Sequence, residues 1–350
     1  MIPLYGGAAD ARNEGHAGLY YDKFFNTWGE AWSLKNIGDR KPKQDWIAEI
    51  VKGKVGDAGL LSEYRSRIWQ LVTARGGEVW VYQTEERLVT GTGLSNPVEN
   101  GFVWHPTLGV PYVPGSSIKG LIGQENRETV LGSMKQVGRV VCLAAVPTVP
   151  IALEADVMTP HYSPWSEKHP PGDWRSPVPI PFLTVAPGAE FLLAVLPRTK
   201  NDREAVITSG KWLNDALTNT GAGAKTAVGY GRMRLVPEDK VPWLKALSQE
   251  AEKARKDRVE QQQLGQMDPL EREFVEIARQ STDPRIKRWV LLLKELERGR
   301  WPDPNQAKAV AWRVRADMEA DGHWRPQTRS KNPAKDHAHQ DTLLILKYLD

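Results

Sequence analysis

The spacing of apolar residues changes from segment to segment along this chain, and each spacing points to an element. From Asp57 to Arg75, Leu61, Tyr64, Ile68 and Leu71 or Val72 recur every three to four residues. That is one face of a helix, with Asp57 placed to cap it and Gly76-Gly77 to stop it. Glu78 to Leu88 instead alternates and is rich in Val, Trp and Tyr, as a strand should be. Arg139 to Val146 and Glu190 to Leu196 are short apolar runs and read as strands, Ser116 to Val130 and Asn201 to Thr220 as helices, and Val228 to Val236 as a last strand. The order β-α-β-β-α-β predicts an α+β domain of the ferredoxin-like (RRM-like) kind. Ahead of it, Tyr21, Phe25, Trp28 and Trp32 follow helical spacing and predict an aromatic stripe packed on the domain.

Two stretches stand outside that order. Pro147 to Gly188 is a long insertion loaded with Pro, Trp, His and Tyr. Its apolar positions Val149, Ile151, Leu153 and Val178, Ile180, Phe182 predict the base of an arm, with the MTPHYSPWSEKHPPGDW tip projecting. From Val241 onward the composition turns to Ala, Glu, Lys, Arg, Gln and Leu, with helices expected over Trp243–Gln263, Pro269–Gln280, Arg285–Arg298, Pro304–Ala320 and Gln340–Tyr348. The stripes Ile286, Trp289, Val290, Leu293, Leu296 and Val310, Trp312, Val314, Met318 predict a bundle with its own core.

The chain of 350 residues, 40% hydrophobic, is long enough for such a division. Its formal charge is only +4, and residues 241–350 hold +3 of it, with 21 Lys and Arg against 18 Asp and Glu. The most basic stretch is His323 to His339, with Arg325, Arg329, Lys331 and Lys335, and it reads as a solvated linker or a source of phosphate contacts. A single cysteine, Cys142, excludes an internal disulfide framework and fits a reducing compartment. With no apolar run of spanning length and no leader pattern at Met1, a soluble, cytoplasmic protein without membrane contact is expected.

Candidate chemistry concentrates in two glycine-rich stretches. Gly91 to Gly123 ends in Gly115-Ser116-Ser117-Ile118-Lys119-Gly120, where either hydroxyl is a candidate N-cap and Lys119 joins free N–H groups at a positive helix end. That is an ordinary capped helix or an anion site, with phosphate the natural guest. Gly221 to Arg232 combines Gly221, Gly223, Lys225, Thr226, Tyr230 and Arg232, either as a hairpin turn or as a close-approach surface with cations and a stacking ring. Neither stretch satisfies the nucleotide-binding G-x-x-x-x-G-K-[ST] pattern. Arg12, Asn13 and His16 lie in a small polar segment that could reach a ligand. Acid–base candidates are His105, His161, Asp156 and Glu154. None pairs at metal-ligand spacing, and His323, His337 and His339 come without a cysteine, so neither a metal nor a cofactor is expected.

These residues carry a resemblance. GTGLSNPVENG, HPTLGVPYVPGSSIKG and GAGAKTAVGYGR, together with GLYYDKFF (Gly18 to Phe25) and DVMTPHY (Asp156 to Tyr162), resemble the RAMP superfamily of CRISPR effector proteins, and within it the sixth-subunit family of the type III-B Cmr complex. The resemblance covers the part before the helical extension. It implies a non-catalytic RNA-binding subunit of an antiviral ribonucleoprotein, gripping the 3′ part of the guide (CRISPR) RNA and its duplex with target RNA. Its implied neighbours are a backbone RAMP subunit, a small helical subunit and the RAMP subunit capping the 3′ end. The insertion corresponds to the family's thumb, placing Asp156, Met158, Thr159, His161 and Tyr162 at the duplex. Related RAMP proteins cleave RNA, so the competing expectation is a metal-independent endoribonuclease trimming guide RNA with His105 or His161. The domains expected are residues 1–56, an N-terminal helical and aromatic segment, 57–240, the RAMP domain with its thumb at 147–188, and 241–350, the helical extension.

Overall fold

The computed structural model describes residues 16–26, 28, 32–34, 41–123, 127–160, 177, 179–280, 283, 285–328 and 332–349. The chain divides into two compact units, Met1–Ser248 and Gln249–Asp350.

The first unit is built on strand β7 (Glu190–Pro197), whose sequence EFLLAVLP is apolar at successive positions because both of its faces are covered. Strand β2 (Glu78–Thr84) pairs antiparallel along one side of it, and β8 (Met233–Val236) pairs antiparallel with β2 beyond. On the other side lie β3 (Val140–Cys142) and β4 (Val146–Pro147), so the order runs β3-β7-β2-β8, with β4 also on β7. The run expected as one strand over Arg139–Val146 is thus two short ones. Between them Leu143 N–H donates to the Ala194 carbonyl, and Ala145 bridges to Val113.

Helix α3 (Ala58–Arg75) follows its sequence pattern. The Asp57 carboxylate accepts from the Leu60 N–H at 2.8 Å, and Gly76 ends the helix at φ +75°. Its Ile68 and Val72 pack on Val79, Ala194 and Leu196, while Trp69 joins Val81, Val236, Val241 and Leu244. Val241 and Leu244 stand at the start of helix α7 (Pro242–Gln266), which runs through the division between the units. The opposite face of the sheet is closed by α4 (Gly115–Ile122) and α6 (Arg203–Asn219), whose Ile118, Ile122, Val206, Leu213 and Leu217 share a core with Tyr82, Leu193 and Val195. Both faces are therefore dry. The helix expected over Ser116–Val130 stops at Gly123 and resumes as α5 (Glu128–Leu131).

The insertion supplies a second sheet. Strands β5 (Ile151–Met158) and β6 (Ile180–Val185) pair antiparallel from Leu153↔Val185 to Met158↔Ile180, and β1 (Lys54–Val55) pairs with the start of β5. The pairing follows the apolar alternation at Ile151, Leu153, Ile180 and Phe182. The N-terminal stripe is helical only in part. Helix α1 (Ala17–Lys23) ends before Phe25, yet Phe25 still meets Trp28 at 4.9 Å and Trp46 at 5.4 Å between ring centres. Trp46 sits on α2 (Pro42–Ile50), signalled by Pro42 at its first turn and the spacing Trp46, Ile47, Ile50.

In the second unit, helices α8 (Pro269–Gln280), α9 (Arg288–Glu297), α10 (Pro304–Ala320) and α11 (His337–Leu349) enclose Phe274, Ile277, Trp289, Leu293, Leu296, Val310, Val314, Met318 and Ile345. Two members of the expected stripes depart from the core: Ile286 precedes α9, and Trp312 is 51% exposed. Among the described residues no helix is long and apolar enough to cross a membrane.

Candidate nucleic-acid interface

Two loops leave the first sheet at one end. Strand β2 finishes at Thr84, which pairs with Met233 at the start of β8. The chain leaving β2 leads to the start of α4, and the glycine-rich loop Gly221–Arg232 runs from the end of α6 into β8. Segment 88–90 joins the parts. Leu88 exchanges both backbone hydrogen bonds with Val185 of β6, at 3.1 and 2.7 Å. Ala224 N–H donates to the Val89 carbonyl at 2.8 Å, and the Thr90 hydroxyl donates to the Tyr112 carbonyl at 3.3 Å, just ahead of α4.

At the start of α4 the sequence expectation needs a correction. The N-cap is Pro114, and no side chain caps the helix. Proline fixes φ and lacks an N–H, so it closes the loop without leaving a donor unpaired. Gly115, Ser116 and Ser117 then fill the first turn, while Ile118 and Ile122 face the core. Ser116, Ser117 and Lys119 are exposed together on one side of the helix, the two hydroxyls beside the first-turn N–H groups and the ammonium in the last turn. Half-buried Cys142 lies beside Lys119. Burial pushes its thiol up to about 11, with the ammonium opposing, so it stays a neutral thiol at physiological pH.

The glycine-rich loop is tightly held. At Gly223, φ is +84°, and a Cβ there would lie 2.2 Å from the Val89 carbonyl oxygen. Lys225 also takes the left-handed conformation, at φ +62°, the backbone state least suited to a side chain. Its ammonium sits 5.3 Å from the ring centre of Phe182 on β6, and Thr226 opens a short 3₁₀ turn after it. Arg232 is exposed. The Tyr230 hydroxyl donates to Asp156 Oδ2, and burial together with that bond pushes its pKa up to about 12. Arg87 Nε donates to Glu154 Oε2 at 2.7 Å, and its Nη1 donates to Asp156 Oδ2 at 3.2 Å. The carboxylates of β5 are thus spent on latching the second sheet, Asp156 to the glycine-rich loop and both Glu154 and Asp156 to Arg87 on the chain leaving β2.

Of the residues singled out in the sequence, Gly221, Gly223, Lys225, Thr226, Tyr230 and Arg232 lie on the loop that enters β8 opposite the end of β2, whereas Ser116, Ser117 and Lys119 open α4 beside Cys142, which pairs with Val195 and so lies level with the start of β2; segment 88–90 links the two through Ala224 and Tyr112. Asp156 joins the glycine-rich loop through Tyr230, while Met158 closes β5 and Thr159 follows it. Arg12, Asn13, His161 and Tyr162 lie outside the described residues. Arg87 and Phe182 were not foreseen; the local signal for the first was Glu154 and Asp156 at alternate positions on one strand face, a pair that calls for a cation opposite.

His105 has a loop-forming role. Its Nδ1 accepts from the N–H groups of Thr107 and Leu108 at 3.4 and 3.3 Å, and the ring lies between Tyr64 and Tyr112 with centres 5.5 and 5.4 Å away. Burial lowers its pKa, so it is neutral at pH 7. His16 caps α1 by accepting from Leu19 N–H at 2.9 Å and directs Nε2 to the His105 carbonyl at 3.0 Å. Among the described residues no group of three or more His, Cys, Asp and Glu could hold a metal ion.

Known proteins resemble this chain in sequence. Residues 81–234 match the family described as the RAMP superfamily. The CRISPR system Cmr subunit Cmr6 of Pyrococcus furiosus is 30% identical over 228 residues, covering 43% of this chain and 66% of that protein. The CRISPR system CMR subunit Cmr6 of Saccharolobus solfataricus is 31% identical over 150 residues, covering 39% of this chain and 49% of the relative. This chain therefore spans from about half to just under two thirds of the length of these curated relatives. The crystal structure of Cmr6 from Pyrococcus furiosus aligns over 46% of this chain and 98% of that one, at 27% identity and a TM-score of 0.32. The matched residues run from within β2 to the start of β8 and hold both loops, and with the two subunit relatives they support a Cmr6-like RAMP protein.

Proposed function

We infer that this chain is a non-catalytic RNA-binding subunit of a type III-B CRISPR effector complex, gripping the 3′ part of the guide RNA and its duplex with target RNA. The observation that carries the reading is the tightly held loop bearing Lys225, Tyr230 and Arg232, tied through segment 88–90 to the chain that leads into the exposed Ser116, Ser117 and Lys119. The strand order, with one helix after each of the two central strands, supports a ferredoxin-like domain. An RRM-type domain reads bases on its open sheet face. Here α3 and the start of α7 cover that face, so RNA is left to the loops at the sheet end. Lys225 keeps a side chain at a backbone position where glycine would fit with less strain, which favours a use for its ammonium.

The β5–β6 pair supports a thumb whose base carries Asp156, Met158 and Thr159, directed at the guide–target duplex. Protein neighbours would be the adjoining backbone RAMP subunit, the small helical subunit and the subunit capping the guide 3′ end, as the sequence resemblance implies. Engagement of His105 in its own loop favours the non-catalytic reading over a guide-trimming endoribonuclease. The test is guide-RNA affinity against salt for Lys119→Ala and Lys225→Ala. Each should weaken binding for all sequences alike and flatten the log–log salt slope by roughly one counterion. An unchanged slope in both would refute the interface. His105→Ala should leave target cleavage by the assembled complex intact; loss of cutting with normal assembly would favour the nuclease.

A further inference from the structure

The second unit carries an aromatic–cationic face that the interface above does not use. Helix α10 buries Ala307, Val310, Ala311, Val314 and Met318 and turns Trp312 outward. The guanidinium of Arg315 lies 5.0 Å from the ring centre of Trp312 and 5.0 Å from that of Trp324, and its Nε donates to Glu319 at 2.8 Å. One Arg thus spans two indoles and is held there by a carboxylate one turn on.

The rest of this helix face is small or charged, with Glu319 exposed one turn beyond Arg315. Lys308, Ala309 and Ala316 are exposed on it, and the alanines carry nothing that would cover the indole. Trp312 is the one large hydrophobic exposed on α10. A protein-docking patch would need several contiguous apolar side chains. A lone ring flanked by an ammonium and a guanidinium is instead the arrangement on which a nucleobase stacks. Trp324 also opens the stretch from His323 to His339, in which Arg325 is paired with Asp336 at 3.0 Å and the exposed Lys335 is a cation that can meet phosphate.

We propose that the Trp312–Arg315–Trp324 face is a second RNA-binding site, taking an unpaired nucleotide of single-stranded RNA by stacking its base on Trp312. It lies in a different unit from the glycine-rich loop and does not depend on it. The experiment measures affinity of the full chain for a 20-nucleotide oligouridylate, and for an abasic oligonucleotide of equal length, using the wild type, Trp312→Ala and Trp312→Phe. The same set is made in a Lys119→Ala/Lys225→Ala background, so that failure of the first interface is read separately. Truncating the ring should weaken oligouridylate binding about five- to hundred-fold in the double-variant background, Trp312→Phe should retain most of the affinity, and the abasic strand should not distinguish the three. Melting should be unchanged, since Trp312 is outside the core. Equal affinity of wild type and Trp312→Ala in both backgrounds would overturn the proposal. So would loss of a protein subunit from the complex with RNA affinity intact, which would make the face a protein contact.

Discussion

Adding one methyl group to the glycine-rich loop separates two consequences of its geometry. At Gly231 φ is +76°, and a Cβ would lie 1.8 Å from the Ala222 carbonyl oxygen. At Gly229 φ is +99°, and a Cβ would meet nothing within 4 Å. Alanine at either site costs about 1–2 kcal/mol for the left-handed backbone. Only at Gly231 must the backbone also move apart. That displacement threatens the bond from Ala222 N–H to the Gly231 carbonyl and the bond from Gly231 N–H to the Arg87 carbonyl, both 2.8 Å. At about 1 kcal/mol each, Gly231→Ala should cost about 3–4 kcal/mol in all. Denaturant melts of the two variants should therefore differ by about 2 kcal/mol, and RNA affinity should fall more steeply for Gly231→Ala. Equal melts and equal affinities would refute the packing of this loop and its role in holding Lys225 and Arg232.

Elsewhere the structure makes three further predictions. Hydrogen bonds from Thr199 and Arg139 hold the Asp202 carboxyl below its ordinary value, so its contribution is fully present above the usual carboxylate range near about pH 4 and is lost as the pH falls through the depressed pKa. Asp202→Asn should accordingly be less stable at neutral pH and show a flatter acid limb in melting temperature against pH; a parallel curve would contradict this. Asp57→Ala removes the side-chain cap of α3 and should cost about 1 kcal/mol in a chemical melt, with no change in RNA salt slope. A chain ending at Ser248 keeps Val241 and Leu244 against Val81, whereas one ending at Val236 loses both and should be less stable by about 3–5 kcal/mol; equal stability of the two would place these residues outside the core.

What the sequence determined by itself is what local spacing controls. Helix α3 with its Asp57 cap and Gly76 stop, the strands β2 and β7, and the helices of the extension follow from side-chain periodicity, which depends only on neighbours a few residues away. Resemblance in the two glycine-rich stretches carried the family in the same way. Trp312 illustrates the limit from within: it falls two residues after Val310, on the opposite side of a helix whose core face holds Val310, Val314 and Met318. The tertiary structure decided the rest. Tyr230 and Asp156 are 74 residues apart and Arg87 and Asp156 are 69 apart, so no local pattern could join them. Coverage of both sheet faces, by α3 with the start of α7 and by α4 with α6, likewise depends on how whole elements pack. That packing closes the sheet and leaves the candidate interface to the loops at its end, because apolar side chains stay buried while backbone donors and cations at a sheet end remain open to solvent.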